Sequence, residues 1–251
     1  MTFHIDRRLV VLALACVVVT VGCLVVYAVT ERWLFLSFVW NLFLAVLPLV
    51  ASTVVDVHGR VRPWVGWVAC AVWLPLFPNT VYVTTDIIHL HRVRFGGDTV
   101  TWPFHRYTDD IVAWSQLFVL AALVVLTLYL GLWSLSHVHT FLTARWGQAW
   151  ALVAVVGVAL ACGYGIYLGR FVRLNSWEVL RPDTLVPLLV SSANEFTVTF
   201  TGLVAAYVLL TYALFWAFAD RSPVRLGACP PASLSAPEVD RLPDEAAVSG
   251  S

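Results

Sequence analysis

Apolar residues in this chain are gathered into long blocks separated by short polar breaks. A helix needs about 20 apolar residues to cross the hydrocarbon core of a bilayer. Six blocks meet that length: Leu9–Val29, Trp33–Val55, Trp64–Val83, Ile111–Ser136, Ala149–Leu168 and Phe196–Phe218. The first follows Arg7 and Arg8, as the core of a signal peptide would. Its apolar run is too long for that role and no small-residue cleavage site follows, so it reads as a retained helix. The pattern predicts an all-α fold, a polytopic membrane bundle of about six transmembrane helices.

The connections differ in kind. Thr30–Arg32 and Asp56–Pro63 are short, which makes their neighbouring helices antiparallel hairpins. Thr84–Asp110 and Gly169–Glu195 are longer and hold most of the polar residues. Beyond Asp220 come Pro223, Pro230, Pro231, Pro237 and Pro243, with acidic residues and few large apolar ones. Such a composition cannot bury enough apolar surface to offset the entropy of ordering. The chain therefore divides into a six-helix transmembrane domain over 1–220 and a disordered Pro-rich tail over 221–251. Within the third block, Leu74–Pro75–Leu76–Phe77–Pro78–Asn79 contains two prolines. Each removes a backbone donor and crowds the preceding turn, so this helix is kinked or broken. Asn79 is placed to cap a new helix from Thr80. Broken backbone at membrane depth needs protein or a wet cavity to receive its freed polar groups, which makes this segment the best pointer to a site.

Composition sharpens the picture. Of 251 residues, 60% are hydrophobic and only 12% charged, with a mean hydropathy of +0.83. A soluble domain of this size cannot hide that much apolar surface. Net charge is zero, which removes any composition argument for nucleic-acid binding. The five cysteines form no CxxC pair, so structural zinc and a disulfide framework are both unsupported. Arginines divide evenly between the two sides once the distant Arg241 is set aside. Around the first helix, Arg7 and Arg8 outweigh Arg32 with its neighbour Glu31, placing the termini in the cytoplasm of a cell-membrane protein. The long connections then face outward.

If an α-helix runs on from Asn79, then Tyr82, Asp86 and His89 fall at i, i+4 and i+7 on one face. Asp86 and His89 present a carboxylate beside an imidazole, a usual way for a helix to supply two metal ligands. His105 and Asp109 form a second such pair if the following helix starts early. Two facing pairs would suit a divalent metal such as zinc. The competing reading is a solvated or salt-bridged cluster with Arg92, Arg94 or Arg106 as partners. Asp86 stands out, because a lone carboxylate after so long an apolar run is costly to bury.

A second constellation runs Gly163–Tyr164–Gly165–Ile166–Tyr167–Leu168–Gly169–Arg170, followed by Arg173 and Asn175–Ser176–Trp177. Ala161, Gly165 and Gly169 repeat every four residues and read as a helix-packing stripe. Arg170 and Arg173 at i, i+3 can clamp a phosphate or carboxylate bidentately. They can equally snorkel to the interface or pair with Asp86 or Asp109. Asn41, well inside the second block, must find hydrogen-bond partners on another helix or line the site. Ser192–Ala193–Asn194–Glu195 reads as a capping box for the sixth helix, which leaves Glu195 out of the site. His137 and His139 read as interfacial. Trp33, Trp64, Trp102 and Trp177 near span ends form an aromatic belt.

Three separated blocks together resemble a prokaryotic membrane family called domain of unknown function 1361. They are Trp40–Asn41–Leu42–Phe43–Leu44–Ala45; Phe77–Pro78–Asn79 with Tyr82, Thr85–Asp86 and His89–Leu90; and Gly165–Ile166–Tyr167–Leu168–Gly169–Arg170 with Arg173 and Asn175–Ser176–Trp177. Tyr107–Thr108–Asp109–Asp110 departs from the family's aromatic-before-acidic pattern, so the resemblance does not extend to Asp109. Glu178 stands where the family has Asp. The resemblance implies a multi-pass membrane protein and supplies no reaction.

These readings predict a polar pocket on the side of the long connections. Asp86, His89 and Tyr82 are the candidate catalytic residues. Arg170, Arg173, Asn175, Asn41 and Asn79 are the candidate substrate-binding residues. Asp86, His89, His105 and Asp109 are the candidate metal ligands. The function they suggest is a membrane-embedded, metal-assisted hydrolase or transferase acting on a lipid-linked or phosphate-bearing substrate. The alternatives are a small-solute or ion transporter using the broken helix, and a structural partner in a membrane complex.

Overall fold

A computed structural model describes residues 7–93, 109–173 and 194–218. Among them the chain is helical throughout, and six helical spans are long and apolar enough to cross a membrane. This is a polytopic membrane helix bundle with a broken third span. The physical reason is the solvent: hydrocarbon offers backbone N–H and C=O groups no partner, so each span satisfies its own.

Helix α1 (Arg7–Thr30) and helix α2 (Trp33–His58) form the first hairpin. The reversal takes two residues because Glu31 adopts a left-handed φ of 54° and its N–H donates to the Tyr27 carbonyl at 2.7 Å. Arg32 fastens the turn to the fourth span, donating through Nη1 to Gln116 Oε1 at 2.8 Å. On the opposite side the chain turns at Gly59 into α3 (Pro63–Leu76). A Cβ on Gly66 would sit 2.6 Å from the Phe141 ring, so only glycine lets that ring seat between the two helices. Arg145 closes the corner by donating to the Gly59 carbonyl at 2.8 Å.

The third span breaks at Phe77. A short α4 (Pro78–Tyr82) follows, and the chain then tightens into a 3-10 helix over Val83–Arg92. Asn79 does not cap a helix from Thr80 as expected. Its amide instead donates to the Leu76 carbonyl at 3.0 Å, a group the Thr80 N–H leaves by bonding to the Phe77 carbonyl at 3.1 Å. Ten residues of 3-10 helix is long for a geometry seldom sustained beyond three or four, and such stretches often mark functional hinges.

Helix α5 (Ile111–Trp146) is the longest element. It continues ten residues beyond the expected end at Ser136 because nothing from His137 to Trp146 breaks a helix; Gly147 does, at φ 80°. That extension carries His137 and His139 between helices, beside Ser52 and Tyr212. Helix α6 (Gln148–Tyr167) widens into a π turn over Leu168–Val172 and stops at Arg173, whose φ of 60° is left-handed. Helix α7 (Glu195–Phe218) completes the bundle. Its N-cap is Asn194, whose side-chain oxygen accepts from the Thr197 amide at 2.9 Å. The capping box therefore does not form as predicted: Glu195 is the first helical residue, and Ser192 lies outside the described residues.

Helix α5 packs on α1, α2 and α6, and α6 packs on α7. Two apolar clusters result. One gathers Val55, Trp73, Phe77, Leu135, Ile166 and Val208; the other gathers Cys23, Phe35, Phe38, Leu42, Leu120 and Leu123. The third span lies between them, against α2, α5 and α6. Residues 219–251, which include the predicted tail, lie outside the described residues.

Candidate functional site

Asp86 lies in the 3-10 segment and is 3% exposed. Three spans converge on its carboxylate. Arg170, from the π turn after α6, donates through Nη2 to Oδ1 at 2.6 Å. Asn41, from α2, donates through Nδ2 to Oδ2 at 3.1 Å. Arg170 is held on two further sides. Its guanidinium carbon lies 4.4 Å from the centroid of the Tyr82 ring. Its Nε donates to Thr85 Oγ1 at 3.1 Å, and Nη2 shares that same acceptor. A buried ion pair stabilises only if the remaining lone pairs and protons are satisfied, since desolvating both charges is expensive. Asn41 answers the second carboxylate oxygen, and Thr85 and the Tyr82 ring engage part of the guanidinium.

The local backbone explains the clustering. In a 3-10 helix residues three apart eclipse one another. Tyr82 with Thr85, and Asp86 with His89, therefore form two adjacent columns, and Arg170 spans them. The expected α-helical face of Tyr82, Asp86 and His89 does not form, yet all three reach the same centre. His89 Nε2 lies 3.6 Å from Asp86 Oδ1, a charge contact beyond hydrogen-bond length. Side-chain exposure rises from 4% for Asp86 through 16% for Arg170 to 27% for His89, so the imidazole is the open edge of the cluster.

The glycine stripe positions Arg170. A Cβ on Gly165 would meet Pro78 Cγ at 3.1 Å, and one on Gly169 would meet Tyr82 Cε2 at 3.5 Å. The stripe packs α6 against the broken third span, as its spacing implied, although Ala161 is exposed and not part of that contact. Among the described glycines of α6 the tightest is outside the stripe: a Cβ on Gly163 would lie 2.6 Å from the Thr201 backbone oxygen on α7.

Several predicted members stand apart. Asn79 is spent on the Leu76 carbonyl. Arg173 is exposed at the left-handed end of the π turn, so it forms no helical i, i+3 clamp with Arg170. Asp109 is exposed and precedes the helix, because Asp110 caps α5 by accepting from the Val112 amide at 2.9 Å. Helix α5 begins at Ile111, after Asp109. His105 and Asn175 lie outside the described residues. Among the described residues no group of three or more His, Cys, Asp or Glu side chains converges. Asp86 and His89 supply one carboxylate–imidazole pair, and a cation there would share Oδ1 with the Arg170 guanidinium or Oδ2 with the Asn41 amide.

Thr85 was missing from the sequence-derived site, although it stands beside Asp86 in the second block; nothing in its residue type marks it. Thr84 Oγ1, one position earlier, is buried with no hydrogen-bond partner among the described residues. A second polar group lies toward the termini. Ser52 Oγ and His137 Nδ1 are 3.1 Å apart, and His139 Nδ1 and the Tyr212 hydroxyl are 2.8 Å apart. His139 is 5% exposed, enclosed between helices rather than facing outward. Uninterrupted helical sequence up to Gly147 was the available signal.

The chain matches no curated protein and no solved structure. The model of one family, described as "Protein of unknown function (DUF1361)", matches residues 40–211, a stretch that contains Asn41, the whole Asp86 cluster and Arg170. The chain belongs to that family.

Proposed function

We propose that the Asp86–Arg170 centre is the working site of a membrane-embedded hydrolase or transferase acting on a lipid-linked or phosphate-bearing substrate. The observation that carries this reading is the ordering of exposure around one buried carboxylate. Asp86 is anchored from behind by Arg170 and Asn41, which leaves His89 as the reachable acid–base group at the rim. A guanidinium has five donors in a planar fork, so Arg170 can hold an anionic oxygen while still paired with Asp86. His89 then moves a proton to or from the reacting oxygen, Asp86 stabilises the charged imidazole, and Tyr82 donates to charge that develops on the substrate. The long 3-10 segment and the π turn both adjoin this centre, as irregular helical turns at functional sites do.

The test is phosphate release from phosphatidic acid or a polyprenyl phosphate in proteoliposomes of the full chain. Wild type releases phosphate, His89→Ala does not, and Arg170→Lys raises KM more than it lowers kcat. Absence of release by the wild type from every lipid phosphate overturns the reading. The metal-assisted version adds a divalent ion such as zinc on Asp86 and His89, with any further ligands supplied from outside the described residues. It requires stoichiometric metal in the wild type that is lost in Asp86→Asn.

A second reading rests on the break at Phe77. Interrupted helices with a buried charge pair form the ligand sites of many transporters. Proton-driven solute uptake by vesicles, without hydrolysis, selects it. In both readings the termini lie in the cytoplasm of a cell-membrane protein and the Asp86 centre opens outward. Membrane-impermeant labelling of a cysteine placed at His58 tests that orientation, and labelling from outside overturns it.

A further inference from the structure

We propose that His137, held by Ser52 and flanked by Trp133 and Asp56, is a proton-binding site at the terminal end of the bundle, separate from the Asp86 centre. Helix α2 reaches a titratable side chain of another span near each of its ends. Asn41 meets Asp86, and Ser52, about 16 Å further along the helix, meets His137. An ionisable group inside a membrane span is costly and calls for a role. Ser52 is fully buried, and its hydroxyl donates its one proton to the Leu49 carbonyl at 2.9 Å. Toward His137 Nδ1, 3.1 Å away, Ser52 Oγ is therefore the acceptor. The neutral imidazole then carries its hydrogen on Nδ1 and keeps the lone pair on Nε2, the nitrogen that takes a proton. Uptake of a proton from water at Nε2 leaves the Ser52 bond intact and puts one positive charge on the ring. Two neighbours favour that charge. The Trp133 ring lies 6.0 Å away, centroid to centroid, within reach of a cation–π contact. Asp56, one turn beyond Ser52 on the same face of α2, sets a negative charge against the imidazole, and Arg60 opposes it more weakly. Other elements do not compete. Helices α3 and α6 have no charged side chain. His58 and Arg62 are exposed, and Arg7 and Arg8 at the start of α1 approach only Trp133. On α5 itself, His139 faces Tyr212 and Arg145 donates to the Gly59 carbonyl. Asp86, His89 and Arg92 of the third span and Glu195 of α7 belong to the other end of the bundle.

Nitrogen NMR of the full chain, carrying isotope-labelled histidine in lipid nanodiscs, tests the proposal by reading both ring nitrogens. H137Q and H137N, used independently, assign the signal among the seven histidines. The neutral wild-type ring carries its hydrogen on Nδ1 and takes up a second, on Nε2, reversibly between about pH 8 and about pH 5. D56N weakens proton affinity about tenfold, and R60Q strengthens it. S52A removes the acceptor, and the hydrogen of the neutral ring moves to Nε2. An imidazole that serves only to tie α2 to α5 stays neutral across the whole range, and that result would overturn the proposal. A wild-type ring with its hydrogen on Nε2, or proton affinity unchanged in D56N, would overturn it as well.

Discussion

Removing Arg170 tests the centre most directly. Arg170→Gln strips the guanidinium from a carboxylate that is 3% exposed, leaving Asn41 and the more distant His89 to hold the charge. Breaking a buried pair from one side costs about 3–5 kcal/mol, because the surviving charge is stranded in low dielectric. The converse variant is gentler. In Asp86→Asn the orphaned Arg170 is 16% exposed in its side chain and keeps Thr85 and the Tyr82 ring. Losing one charged hydrogen bond there costs about 1–3 kcal/mol. The double variant replaces both charges with amides of similar size and strands neither. It is expected to be more stable than Arg170→Gln alone, with a coupling of about 2 kcal/mol or more. Equilibrium unfolding in mixed micelles, followed by the fluorescence of the 12 tryptophans, gives all three values. Arg170→Gln within about 1 kcal/mol of wild type, or strictly additive single variants, would refute the pairing and with it the buried charge.

Other substitutions probe the scaffold. Gly163→Ala drives a Cβ to within 2.6 Å of the Thr201 carbonyl, backbone that cannot swing aside. It should destabilise the α6–α7 pair by about 1–3 kcal/mol in the same unfolding assay, while Gly157→Ala, with nothing within 4 Å of its Cβ, should not. Tyr212→Phe removes the hydroxyl paired with buried His139 and should cost about 1–2 kcal/mol, with phosphate release unaffected. Asn194→Ala removes the acceptor for the Thr197 amide and should lower stability by about 1 kcal/mol, while Asn194→Asp should restore it. Asn41→Leu should behave as a mild version of Arg170→Gln, since Asp86 loses its second donor but keeps the guanidinium.

What the sequence determined by itself is the architecture. Block length against bilayer thickness sets the six spans, and two prolines around Phe77 set the break, because both effects are local and need no partner. It also singled out Asp86 and Arg170: a carboxylate and a guanidinium at the ends of apolar runs must be paired, whichever the partner. Tertiary structure decided which partner. The α-helical face expected from Tyr82 to His89 became two adjacent columns where the chain tightens to a 3-10 helix, and the Arg170–Arg173 clamp became one engaged and one exposed arginine because the π turn and a left-handed Arg173 changed the spacing on which sequence periodicity relies. Thr85 and Asn41 joined the centre only through contact between spans that lie far apart in the chain. The enclosure of His139 beside Tyr212 was not legible, because burial depends on what packs beside a residue. Chain order records local propensity and apolar length; it does not record which distant groups share one small, water-poor space, and that shared space is where a buried charge acquires its role.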